Sequence, residues 1–209
     1  MAVTFDLFGT LIEAPKPADP ARAIAVELDA RGVETPEGWT EAYRTPHVDA
    51  PDGAEVPLPA HVAAALRSLG VEPPANVVRR AVVAAFDPDV HTREGAVEAV
   101  RAARDCGPVG ILSNCSVPEL VSRSLIRSAF SREEFDAVVS SVGCGWRKPH
   151  PKAFEAIASR LDRPVSELVH VGDSLEADGG IEACGGQAIV LVDGTAMAEV
   201  PALLEAGNG

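Results

Sequence analysis

The chain has 209 residues, of which 46% are hydrophobic and 23% charged, and it carries a formal net charge of −13. That length suits one domain, or one core domain with an insertion, and the acidic balance excludes a nucleic-acid surface, which needs basic patches. No apolar run reaches the roughly 18 residues of a membrane span, and no basic-then-apolar leader is visible, so a cytoplasmic protein with no membrane partner is expected. Only Lys16, Lys148 and Lys152 are lysines, and the acidity reads as a solubility feature. Cys106, Cys115, Cys144 and Cys184 lack zinc-ribbon spacing and are expected to be free thiols.

In chain order, "VTF" at residues 3–5 reads as a short strand ending at Asp6. Residues 14–90 hold most of the prolines and show helical patterns in "DPARAIAVELDARG", "PEGWTEAYR", "PAHVAAALRSLG" and "PANVVRRAVVAAF". Beyond residue 90 helix and strand alternate. "REGAVEAVRAARDCG" places Val97, Val100 and Ala103 at helical spacing with Gly107 as a stop, and "PVGILSN" follows as a buried strand. Then come "VPELVSRSLIRSAF" as helix, "FDAVVSSVG" as strand, "PKAFEAIASRL" as helix, "ELVHVGDS" as strand, "EADGGIEACGG" as a short helix and "QAIVLVDG" as the last strand.

This alternation predicts an α/β fold whose parallel sheet is covered by helices on both faces. Ligands bind beyond the carboxyl ends of such strands, which singles out Asp6, Ser113, Asn114 and Asp173. An aspartate there can attack an electrophilic phosphorus or carbon and form an ester that water later cleaves. Ser113, just before a helix start in "ILSNCSVPEL", can neutralise a phosphoryl oxygen. Lys148 in "WRKPHP" supplies a fixed positive charge. Asp173 and Asp178 in "GDSLEAD" form a hard-oxygen corner suited to Mg²⁺.

With "FDLFGTL", "ILSN", "RKPHP" and "VGDSLEAD" in order, the chain resembles the haloacid dehalogenase superfamily. The resemblance implies a Rossmann-like, doubly wound core formed by residues 1–13 and 91–209, with residues 14–90 as an inserted α-helical cap. It implies a Mg²⁺-dependent hydrolase in which Asp6, Ser113 and Lys148 are catalytic. Ser113, Asn114 and Lys148 would bind substrate. Asp6, the Phe8 carbonyl and Asp173 would hold the metal, with Asp178 in the same set. A small-molecule substrate and a monomer or homodimer are expected.

Phe8 departs from the family's phosphatases, which usually carry a second aspartate two residues after the nucleophile as general acid and base. Loss of such a group costs on the order of 10² to 10⁴ in rate. Three expectations follow: a phosphatase acting on a small phosphorylated metabolite, whose acid comes from His47 or His61 or whose leaving group needs none; a 2-haloacid dehalogenase, since halide leaves without a proton; or a catalytically weak member that binds a ligand or partner. The dehalogenase reading lacks a clear cap arginine, Arg44 being only a candidate, and the metal motif argues against it. Trp39, Tyr43 and Phe86 are expected mainly in the core, His170 as a packed, hydrogen-bonded strand residue, and His150 as a helix-start residue. Trp146 and Arg147 either line the pocket or are structural.

Overall fold

The computed structural model of the protein describes residues 1–191 and 196–207. Its centre is β1 (Ala2–Phe5), a strand of Ala, Val, Thr and Phe with all four residues buried. β-Branched and aromatic side chains favour this extended, doubly covered position. To one side lie β4 (Val109–Ser113) and β5 (Ala137–Ser140); to the other lie β6 (Leu168–Gly172) and β7 (Gln187–Val190). The order is β5-β4-β1-β6-β7, with every pairing parallel. The strand order reverses at β1, so a crevice opens beyond the carboxyl end of that strand.

The period of two along each strand sorts side chains into two layers. Val3, Phe5, Val109, Ile111, Val169 and Val171 join one hydrophobic cluster, with α5 (Ala96–Cys106) and α9 (Val200–Gly207). Ala2, Leu112, Ala137, Val139 and Leu168 join the other, with Phe154 and Ile157 of α8 (Pro151–Arg160). α5 buries Ala96, Ala99, Val100 and Ala103, a single helical stripe, and ends at Gly107 as the sequence predicts. Gly110 lets α8 close on the sheet, since a Cβ there would stand 3.0 Å from Ile157 Cδ1.

After β1 the chain forms β2 (Ile12–Glu13), which pairs antiparallel with β3 (His91–Thr92) in the register Ile12↔Thr92 and Glu13↔His91. Between these two strands lie α1 (Pro20–Asp29), α2 (Trp39–Arg44), α3 (Leu58–Ser68) and α4 (Ala75–Ala85), which pack on one another. α1 shows why these segments are helical: the Asp19 side chain caps the Arg22 N–H at 3.0 Å, Pro20 opens the first turn, and Ala21, Ile24 and Leu28 form the buried stripe.

A further helix, α6 (Leu120–Arg127), is shorter than the run beginning at Val117 predicts, because Glu119 takes a left-handed conformation with φ 66° immediately before it. The strand expected to run through Gly143 stops at Ser140. There the backbone coils into α7 (Ser141–Cys144), and Ser141 Oγ accepts the Cys115 N–H at 2.8 Å. The last strand, expected over residues 187–194, is seen over Gln187–Val190, and residues 192–194 lie outside the described residues. β2, β3 and α9 were not expected; two-residue strands are too short to show a period. Among the described residues no helix is long and apolar enough to cross a membrane, and all four cysteines are free.

Candidate active site

Asp6 follows the last residue of β1, its N–H donating to the Val171 carbonyl at 2.8 Å, and its residue surface is 7% exposed. Lys148 reaches it from the segment before α8, with Nζ 2.8 Å from Asp6 Oδ1. The same ammonium donates to Asp178 Oδ1 at 2.6 Å and to the Leu112 carbonyl at 2.7 Å. All three of its hydrogens are thereby placed. Burial pushes the Asp6 carboxyl above the ordinary carboxylate range; Lys148 opposes this, while Asp178 and Asp173 add to it.

Behind the lysine lies a second layer. His170 Nδ1 is 2.8 Å from Thr4 Oγ1, its register partner across the β1–β6 ladder, and Nε2 is 3.1 Å from Asp178 Oδ1. Complete burial, reinforced by Lys148, lowers the imidazole to about 4. His170 is therefore neutral near pH 7, with Nε2–H donating to Asp178 and the Thr4 hydroxyl donating to Nδ1. Burial alone would raise Asp178, but the bonds from His170 and Lys148 hold it well below the ordinary range. Its other oxygen accepts the Ser174 N–H at 2.9 Å. Gly172 makes room for this carboxylate, since a Cβ there would stand 2.1 Å from Asp178 Cγ.

Both Asp178 oxygens therefore meet protein donors, and the carboxylate anchors Lys148. Asn114 also holds the lysine. Its amide nitrogen donates to the Lys148 carbonyl at 2.9 Å and its amide oxygen accepts the Lys148 N–H at 2.8 Å, so it braces the lysine segment. Ser113, 1% exposed at the end of β4, differs from both: its hydroxyl is buried with no hydrogen-bond partner. An unmatched buried hydroxyl is unfavourable unless something else fills its valence.

Asp173 follows β6 and is exposed, with Oδ1 accepting from the Thr10 hydroxyl at 3.0 Å. Gly9, at φ 91°, passes so close that a Cβ would stand 2.6 Å from Asp173 Oδ2. Among the described residues no three His, Cys, Asp or Glu side chains converge on a metal-sized point. What is available is a pair of carboxylates, Asp6 and Asp173, with backbone beside them. That set suits a hard cation that keeps most of its water, as Mg²⁺ does, and does not suit zinc.

Beyond Phe8 lies a cavity of about 230 Å³, walled by apolar groups from the helical segment and the core, among them Tyr43, Leu58, Phe86 and Leu120, with Asn114, Lys16 and Arg147 as polar members. Trp39 and Phe86 are buried in the core, as expected, with the Trp39 indole N–H donating to the Ala21 carbonyl at 2.9 Å; Tyr43 packs against the same core, and Tyr43 and Phe86 also line this cavity. His47, His61 and Arg44 line a neighbouring open depression and are not among the residues lining the Phe8 cavity. The two histidines lie 2.9 Å and 2.6 Å from the Ala42 and Tyr43 carbonyls. His150 caps α8, accepting the Lys152 N–H, and Trp146 stacks on it.

A strand-end aspartate bound to a buried lysine thus lies at the switch point of a doubly wound sheet, the place where such folds bind ligands. Residues 1–185 match the family described as "Hydrolase: haloacid dehalogenase-like hydrolase", and the chain belongs to that family. It is similar to a glyceraldehyde 3-phosphate phosphatase from Methanopyrus kandleri, with 32% identity over 183 residues, covering 85% of this chain and 77% of that one. Its fold is similar to that of a HAD phosphatase from Thermococcus onnurineus, with TM-score 0.60, 19% identity and 97% of both chains covered. It is also similar in fold to a 2-haloacid dehalogenase from Pseudomonas syringae, with TM-score 0.68, 19% identity and coverage of 99% of this chain and 98% of that one.

Proposed function

We propose that this hydrolase is a Mg²⁺-dependent phosphatase of a small phosphorylated metabolite, with residues 1–13 and 91–209 as its catalytic core and residues 14–90 as a cap over the substrate. The observation that carries this reading is the buried, partnerless hydroxyl of Ser113, at the end of the strand β4 that pairs with β1, together with the Lys148–Asp6 bond beyond β1. A phosphoryl oxygen is the natural acceptor for it. The Methanopyrus relative, a glyceraldehyde 3-phosphate phosphatase, supports the same choice.

In this mechanism an Asp6 oxygen bonds to phosphorus as the phosphorus–oxygen bond to the leaving group breaks. Water then attacks phosphorus, the Asp6 carboxylate departs, and inorganic phosphate is released. Lys148 and Ser113 balance the phosphoryl charge. Asp6, Asp173 and the Phe8 carbonyl would hold Mg²⁺, which supplies further positive charge to the phosphoryl oxygens. Phe8 offers no proton, so leaving groups that are already acidic, such as aryl and acyl phosphates, should be favoured over alkyl phosphates.

The aromatic ring of Phe8 at the cavity wall also favours a second reading, dehalogenation, because halide departs without a proton. The test is hydrolysis of p-nitrophenyl phosphate and of 2-chloropropionate, each with Mg²⁺ and with EDTA, using Asp6→Asn as the blank. Metal-dependent phosphate release that vanishes in the blank is the expected result. Metal-independent chloride release would overturn the phosphatase reading.

A further inference from the structure

Glu55 lies in the segment between α2 and α3, far in sequence from every motif, yet its side chain is only 2% exposed. An acid is seldom buried without partners, and this one has two, both from the core. One oxygen accepts from the Ser141 hydroxyl, which itself accepts the Cys115 N–H at 2.8 Å. The carboxylate also accepts from Arg147 Nη1, 3.2 Å from Oε2. Cys115 stands two residues after Ser113, and Arg147 immediately precedes Lys148. A single carboxylate thus links the segment carrying the phosphoryl-binding hydroxyl to the segment carrying the lysine.

The backbone repeats the pattern. Glu55 N–H donates to the Gly145 carbonyl, Arg147 N–H to the Gly53 carbonyl and Leu58 N–H to the Ser116 carbonyl, each at 2.9 Å, and Ala54 bridges antiparallel to Trp146. Gly53, at φ 75°, permits the approach, since a Cβ there would stand 2.7 Å from His150 Cδ2.

We infer that Glu55 is a positioning residue of the hydrolase: docked on the core, it fixes the 113–116 and 145–148 segments relative to each other and so sets where Ser113 and Lys148 stand around Asp6. The inference rests on the catalytic roles proposed above for Ser113 and Lys148. It also makes the inserted segment a working part of the catalytic scaffold as well as a cover.

The test compares Glu55→Ala, Glu55→Gln and Ser141→Ala with the parent. Turnover is read on p-nitrophenyl phosphate with Mg²⁺, folding by circular dichroism and melting temperature, and the two segments by amide hydrogen exchange. Misplacing catalytic groups by about an ångström can cost around a hundredfold, so Glu55→Ala should lower kcat by about tenfold to a hundredfold per folded molecule, with a smaller change in KM. Glu55→Gln, which keeps an acceptor for Ser141 and Arg147, should recover most of the loss. Ser141→Ala, which removes only the arm to Cys115, should lower kcat about fivefold with its melting temperature kept. Exchange at Cys115, Arg147 and Lys148 should rise in Glu55→Ala, whatever the substrate. A folded Glu55→Ala with parental kcat and parental exchange at those amides would overturn the inference. Should that variant fail to fold, parental kcat and exchange in Ser141→Ala would do the same. A parent that releases no phosphate refutes the phosphatase reading alone, and the exchange measurement still decides the role of Glu55.

Discussion

His170 should make stability fall on mild acidification, and the size of the effect follows from its surroundings. In the unfolded chain its imidazole titrates near 6.5; in the folded protein burial and the Lys148 ammonium bring it to about 4. Between these values the unfolded chain binds the proton and the folded protein does not. Stability from this residue is therefore complete above the unfolded value and declines as pH falls through the window. From pH 7.5 to pH 5 the loss is about 2 kcal/mol, a sizeable part of the roughly 5 to 15 kcal/mol that holds an ordinary domain folded. Asp178, held low, acts in the same direction but only below its ordinary value. Asp6, raised by burial, acts in the opposite direction. Comparison with His170→Asn isolates the imidazole, because both carboxylates and Lys148 remain and the packing cost of the substitution is present at both pH values. Urea unfolding at pH 7.5 and pH 5 should show the parent losing about 2 kcal/mol more than the variant. Equal losses would mean that His170 is not buried neutral behind Lys148.

Ser113→Ala should lower kcat/KM on phosphate esters by about a hundredfold while leaving the melting temperature unchanged or raised, because it deletes an unmatched buried hydroxyl; a drop in melting temperature would show that the hydroxyl has a partner in the resting protein. Gly9→Ala should weaken Mg²⁺ activation, seen as a rightward shift of activity against Mg²⁺ concentration, since its Cβ would push Asp173 aside at a backbone conformation that alanine resists. An unshifted curve would remove Asp173 from the metal site. Phe8→Asp should raise turnover on alkyl phosphates relative to aryl phosphates, and no gain in a folded variant would show that position 8 is not where the missing acid belongs.

The sheet, its alternation with helices and the gathering of Asp6, Ser113, Lys148 and Asp173 at one end were legible because each rests on a local pattern: buried runs of two-residue period, helical stripes, and polar residues where strands stop. Asp178 and Asn114 were placed in the site, but their hold on Lys148 was not foreseen. The donors and acceptors that meet them come from separate segments, which no local pattern reveals. Thr4 and the neutral state of His170 depend on register across β1 and β6, which no single segment reveals. Glu55 was missed for the same reason. It lies in an irregular stretch with no period, and its burial comes from core residues nearly a hundred positions away.

The antiparallel pair Ile12↔Thr92 and Glu13↔His91 brings the start and the end of the intervening helical stretch side by side. Nothing in the five-stranded sheet is threaded through that stretch, so the ladder works as a splice junction: a short hairpin turn could close it, or a different cassette could be seated there, without rewiring the core. Such exchange is easy for the topology and hard for the chemistry. A replacement cassette would have to bring its own acid to stand between Ser141 and Arg147, as Glu55 does here.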